Sequence, residues 1–259
     1  MNPIAPEALP ALQDRLYDEI LSGIVNGVPL PNADVYDRPW HRDAAMMLLA
    51  LETRGEAHRI RDWILGLNDP FDRNNAGIEE PDNLGQTLYL LSVAADADHP
   101  LVPKILEAAA RVVETGPDGP HLTGRTDFAP HPVYQTKWMK FGLGALGLPD
   151  TWSVPNVFDS YGSLFWMSRT PHVEGPRFDP MDGNYPYLQW AEAHFYREAP
   201  RWDLLSEGPN LTWESEASHA NYPDPAHRRC EPHTWHAAEA YLYLHHLGLE
   251  FDGPEFDRH

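Results

Sequence analysis

Apolar blocks of helical length alternate with amphipathic ones along this chain. Leu12, Leu16, Ile20 and Ile24 recur every four residues, which predicts an amphipathic helix over Pro6–Val25. Ala45–Leu51 is apolar on every side and is opened by Asp43. Ala57–Leu67 is amphipathic again, with Arg59, Arg61 and Asp62 among Ile60, Trp63, Ile64 and Leu65. Asp82–Ala95 returns to the apolar type. Leu101–Val113 carries a polar face of Lys104, Glu107 and Arg111, and a further apolar helix runs to about Leu146. A helix apolar all round must be enclosed by protein, whereas an amphipathic one covers a core with one face. Strict alternation of the two predicts an all-α fold, an (α/α)6 toroid or barrel with inner and outer helix rings. Short connections make neighbouring helices antiparallel. No Gly/Ser-rich linker divides residues 1–259, so a single domain is expected.

The second half is more loop-rich. The segments starting at Phe158 and Tyr185 are too close for a full outer helix between each pair. Pro171–Asn184 and Glu207–Glu231 read as long loops, and loops of that length in a compact domain usually carry function. They hold Trp213, Tyr222 and several carboxylates and are expected to wall a pocket, the alternative being a mobile surface flap. Strand patterns are scarce. Only Pro117-Asp118-Gly119-Pro120, beside His121-Leu122-Thr123, has the composition to close a small hairpin.

A second pattern sits on the first. Six times, an aromatic, polar or acidic cluster stands directly before an apolar stretch. The clusters are Trp40–Asp43, Glu79–Asn83, His131–Trp138, Phe158–Gly162, Tyr185–Trp190 and Pro232–His236. Helix N-termini carry unsatisfied N–H groups and a partial positive charge. Repeated at enclosed helices, such clusters predict one shared pocket at the inner-helix N-termini.

Three clusters carry the most chemistry. Trp40, His41, Arg42 and Asp43 combine a flat apolar face, a planar donor fork and an acceptor, which suits a sugar ring and its hydroxyls. Asp43 acting as a helix cap, with Arg42 paired to an acid, explains the same residues structurally. Glu79, Glu80 and Asp82 crowd three carboxylates beside Asn83 and Gln86. Mutual repulsion of that kind can keep one acid protonated, as general acid catalysis requires; Asp82 as a helix cap, with Glu79 and Glu80 solvated, explains the same residues structurally. Glu214 and Glu216 flank Trp213, and in an extended loop only one of them lines the site. Glu216 is the first choice and Glu214 the alternative, with Asp82 as the partner carboxylate. His233 and His236 share a helix face around Trp235, but this HxxH lacks a defined third ligand, so sugar contacts are expected rather than a metal. Asp159 and Tyr161 add an acid, which is also a candidate cap, and a phenol.

Composition narrows the partners. The net charge of -20 opposes nucleic acid, whose phosphates it repels, and fits neutral or cationic small molecules or sugars. Cys230 is the only cysteine, so no intrachain disulfide forms. MNPIAPEALPALQDRL lacks a basic n-region and a long apolar h-region, and the apolar run near Ala44–Leu51 is too short to span a bilayer. The expected location is cytoplasmic, away from membranes. No GxxxxGK[ST] or GxSxG motif occurs, and no cofactor is expected.

Trp40-His41-Arg42-Asp43-Ala44-Ala45 resembles the W-x-R-D-A motif that opens an inner helix in the six-hairpin glycosidase superfamily, the glucoamylase-like toroids. Pro232–Glu239 is similar to the Trp-containing last inner helix of the same folds. The resemblance implies an (α/α)6 barrel, an oligosaccharide substrate and inverting hydrolysis by two carboxylates. It implies substrate binding for Arg42 and Asp43. The chain departs from the family in its short length and in its outer helices, which thin out after Leu146. Two rival expectations remain. One is a lyase or sugar isomerase on the same toroid, using His41, His219, His233 or His236 with Tyr134, Tyr161 or Tyr222. The other is a sugar-binding protein without catalysis.

Overall fold

The structure is a computed structural model describing residues 9–33, 36–74, 76–126, 129–155, 157, 159, 233–235, 237–239, 241–242 and 244–245. These fall into two compact units, one drawn from Met1–Gly55 and Asp179–His259, the other from Glu56–Phe178.

In the first unit, α1 (Leu9–Ser22) buries Leu12, Leu16, Tyr17 and Ile20 along one face. It stops short of Val25, contrary to the four-residue spacing. Asn26 and Gly27 both adopt positive φ, 53° and 79°, the backbone of a two-residue hairpin turn. Ile24 and Val25 (β1) therefore pair with Pro29 and Val28 (β2) instead of extending the helix. Next comes α2 (His41–Thr53), buried from His41 through Leu48 and again at Ala50 and Leu51, so it is enclosed on every side. It starts ahead of Asp43. Trp40, with extended backbone, occupies the capping position, and Asp43 lies inside the first turn. Asp43 is thus not the helix cap.

The described residues of 234–245 are helical and bury Trp235, Ala237, Ala238, Tyr241 and Leu244. They are fastened to the rest of their unit. The Thr234 N–H donates to the Pro31 carbonyl at 2.7 Å and the Thr234 hydroxyl to that of Leu30 at 3.1 Å. The hydroxyls of Thr53 and Tyr241 lie 2.7 Å apart. The Arg54 guanidinium stands 4.2 Å from the Tyr17 ring centre and donates to Asp14 at 2.7 Å.

In the second unit, the predicted helix over 57–67 is broken. A 3-10 turn (Ala57–Ile60) precedes a short α3 (Arg61–Leu65), because Ile60 leaves helical geometry at φ −117°, ψ 9°. The third long helix, α4 (Asp82–Ala94), is buried continuously from Asp82 to Leu91. One face of α5 (Leu101–Arg111) is buried, through Leu101, Val102, Ile105, Ala108 and Ala109. Val113 then enters β3 (Val113–Gly116), which pairs with β4 (Gly119–Leu122) in a hairpin around the 117–120 turn. A smaller hairpin joins β5 (Arg125–Thr126) to β6 (Ala129–Pro130). Last comes α6 (Pro132–Ala145), with proline in its first turn, where the missing N–H costs nothing. All of the polar cluster 131–138 but His131, which holds the capping position, therefore lies within this helix rather than ahead of it, and Gln135, Thr136 and Lys137 have no exposed surface.

The described elements are mostly helical, and their strands make only three separate two-stranded hairpins. Enclosed and one-faced helices alternate from α1 to α6. Two glycines set the packing of α4 on α6. A Cβ at Gly85 would fall 2.2 Å from the Trp138 carbonyl carbon, and one at Gly142 would fall 2.4 Å from the Gly85 oxygen. The two backbones touch there, which brings the polar first turns of both helices together. No described helix is long and apolar enough to cross a membrane.

Candidate functional site

The second unit holds a buried polar network at the starts of α4 and α6. Asp82 opens α4 and has no exposed surface. Its Oδ1 accepts the Thr126 hydroxyl at 2.7 Å and its Oδ2 the Gln86 amide at 2.9 Å. Gln135 donates to Thr126 Oγ1 at 2.9 Å and to the Gly124 carbonyl at 3.1 Å. Thr126 thus receives one hydrogen bond and passes its own proton to Asp82, so both Asp82 oxygens are acceptors. Gln86 Nε2 also lies 3.4 Å from the Tyr134 hydroxyl, and Gln86 Oε1 accepts from Asn83 Nδ2 at 3.2 Å. Asn83 Oδ1 accepts the Asp72 N–H at 3.3 Å. Gln135 spends both amide hydrogens, while its Oε1 is buried with no donor among the described residues.

Crowding of three carboxylates gives way to a sorting of them. Glu79 faces solvent and pairs with Arg73 at 2.9 Å. Glu80 is 2% exposed and accepts from Asn74 Nδ2 at 3.1 Å. Only Glu80 and Asp82 turn inward. Pro81, not Asp82, occupies the capping position of α4.

Asp159 anchors a neighbouring group. Its Oδ2 accepts the Tyr134 N–H at 3.0 Å, near the start of α6, and its Oδ1 lies 2.8 Å from His131 Nδ1. Asp159 is thus a cap, but for a helix earlier in the chain. Lys137 is fully buried in α6. Burial pushes its ammonium down from 10.5 to about 8, against the opposing pull of the Asp159 charge.

In the first unit, the structure brings together residues nearly two hundred positions apart. Arg42, Asp43, His233 and Trp235 are all buried. His233 Nδ1 lies 3.2 Å from Asp43 Oδ1, and the same nitrogen accepts the Trp235 N–H at 3.2 Å. The Arg42 guanidinium stands 6.0 Å from the Trp235 ring centre, a cation–π approach at the edge of the useful range. His41 is buried beside them on α2. Trp40 is half-buried, with Tyr36 edge-on at 5.5 Å and Arg38 at 5.4 Å from its ring centre. The Trp40 indole N–H is buried without an acceptor among the described residues.

Tyr161, Trp213, Glu214, Glu216 and His236 lie outside the described residues, as do the loops 171–184 and 207–231. Among the described residues no group of three or more His, Cys, Asp or Glu is placed to hold a metal. The sequence pattern places His131, Gln135 and Lys137 in one of the six polar clusters without a role for any of them, and it does not single out Thr126. For the two α6 residues a signal existed: polar residues inside a helix apolar all round must be enclosed with it. Thr126 sits in a two-residue strand and had none. Comparison with known protein families, characterised proteins and solved structures returned no match for this chain.

Proposed function

We propose that this chain is a carbohydrate-active enzyme that hydrolyses glycosidic bonds, built as a compact α/α toroid over residues 1–259. The observation that carries the reading is the enclosed network of Asp82, Gln86, Thr126, Tyr134 and Gln135. Burying that many polar groups costs stability unless they are satisfied or used. Acids, amides and hydroxyls at enclosed helix starts suit a ligand rimmed with hydroxyls. Asp82 accepts at both oxygens, so it serves as an acceptor and Glu80 as the proton donor to the leaving oxygen. The second carboxylate is Glu216 or Glu214, and inversion requires it roughly 6.5–9.5 Å from the acid. Trp40, Arg42, Asp43, His233 and Trp235 bind the sugar. The toroid reading is supported by the alternation of enclosed and one-faced helices. The substrate is a neutral oligosaccharide and the expected location cytoplasmic.

The test is mass spectrometry of a neutral and uronate-containing oligosaccharide panel after incubation with the protein. Fragments that gain one water across the cut are expected, and Glu80→Gln should lower their rate by about 100-fold or more. An untouched panel would sink the hydrolase reading. Full activity in Glu80→Gln would sink the assignment of the acid.

A further inference from the structure

His233 serves two elements with one nitrogen. It stands immediately before the helical residues of 234–245, and its carbonyl accepts the first helical hydrogen bond, from the Ala237 N–H at 3.1 Å. Its Nδ1 accepts the Trp235 N–H at 3.2 Å. That is the capping geometry usually supplied by Asn, Asp, Ser or Thr, whose side-chain oxygens take the same N–H. The cap requires a lone pair on Nδ1, so the ring hydrogen of neutral His233 is on Nε2. Asp43 Oδ1, from α2, lies 3.2 Å from the same nitrogen. In the neutral ring this carboxylate oxygen faces a lone pair and is repelled. A hydrogen on Nδ1 turns the repulsion into attraction, and at the same moment removes the acceptor of the Trp235 N–H. One nitrogen cannot serve both partners.

We propose that His233 is a pH-sensitive latch: neutral, it caps the helical segment that follows it; protonated, it releases that cap and pairs with Asp43 on α2. The device stands apart from glycoside hydrolysis and does not depend on it. Imidazole is the side chain that ordinarily changes charge between about pH 5 and 8. The surroundings pull both ways. Asp43 favours the cation, whereas the positive end of the helix opposes it. From α2, His41 is buried as well, and the Arg42 guanidinium stands 6.0 Å from the Trp235 ring centre. From the segment before α2, the Tyr36 ring lies edge-on 5.9 Å from the imidazole, and Arg38 lies on Trp40 at 5.4 Å. Glu239 is buried further along the same helical segment. The anchor beside the cap does not titrate. Thr234 holds the Pro31 and Leu30 carbonyls through its N–H and its hydroxyl. Release is therefore confined to the first turn, at Trp235, which is 2% exposed.

The experiment follows the full chain by NMR between about pH 5 and 8. Proton–nitrogen spectra of the His233 ring should show the hydrogen on Nε2 at the alkaline end. On acidification the ring should titrate. At the same midpoint, protection of the Trp235 amide against hydrogen exchange should fall about fivefold, the weight of one lost cap. His233→Asn keeps a capping acceptor but no titration, so its Trp235 protection should stay flat over the range. Asp43→Asn removes the charge that rewards protonation, so the midpoint should move down by about one pH unit or more. A hydrogen on Nδ1 at the alkaline end overturns the proposal, as does a ring that keeps one charge state throughout. So does an unmoved midpoint in Asp43→Asn, or lost Trp235 protection in His233→Asn. Tautomer, titration and amide protection are all read in the parent chain, so they decide even where a variant does not fold. None of these readouts uses the cutting of a sugar, so failure of the latch and failure of the hydrolase are told apart.

Discussion

Lys137 carries an ammonium with no exposed surface, in the enclosed first half of α6. Its folded value, about 8, lies below the ordinary 10.5. Between those limits the unfolded chain binds more protons than the folded one, so stability rises with pH across that window. Below pH 8 the cost is fully present and constant. Lys137→Met removes it, so the variant should gain most over the parent near pH 7. Its advantage should shrink by up to about 1.4 kcal/mol per pH unit through the window. Urea denaturation of both proteins at several pH values reads this directly, and a pH-independent difference would refute it. The same residue shows why the site was only partly legible. Asp82, Asn83 and Gln86 stand out in the sequence as candidates because acids and amides at a helix start form a local pattern, and they are joined by hydrogen bonds there. The sequence pattern counts Asp159 as a ligand contact or a cap of its own segment. The partners His131 and Tyr134 lie 28 and 25 positions away, and no local rule pairs residues across that distance.

Helices α4 and α6 make their argument at the level of the element. Their contact depends on backbone touching backbone at Gly85 and Gly142, where any Cβ would overlap main-chain atoms that cannot rotate away. Gly85→Ala should cost about 3 kcal/mol or more, since overpacking a tight core forces whole elements apart. Gly144 is the control. It lies in the same α6, and a Cβ there meets nothing within 4 Å, so Gly144→Ala should stabilise by up to about 1 kcal/mol through helix propensity alone. Chemical denaturation of the two variants decides, and equal effects would refute the packing account. The long enclosed helices were legible because an apolar pattern over several turns survives any tertiary context. Element ends were not. Ile24 continues the spacing of α1, yet the turn at Asn26 and Gly27 captures it for a strand. Val113 likewise leaves α5 for a hairpin. Local turn geometry outweighs one more apolar residue at a helix end.

Charge acts on the whole molecule. The chain carries 39 acidic residues against 19 lysines and arginines. Several of those cations are already committed to nearby carboxylates, as Arg54 is to Asp14, Arg73 to Asp69 and Glu79, and Lys140 to Asp150. Pairs this exposed contribute at most about 1 kcal/mol each. What remains is an unbalanced negative field that resists compaction. Raising ionic strength from about 0.01 M to about 0.15 M shortens the screening length from roughly 30 Å to roughly 8 Å. Repulsion across the molecule is then damped, while pairs in contact lose little. The urea midpoint should therefore rise with added NaCl; a falling midpoint would mean that the pairs outweigh the field. The same field bears on function, since it repels a polyanionic chain before any contact forms. Binding of a neutral oligosaccharide should be indifferent to salt over this range, whereas binding of a polyuronate should strengthen as salt is added. Parallel titrations of the two ligands would reveal it, and a polyuronate bound most tightly at the lowest salt would point to a local basic groove that overrides the overall charge.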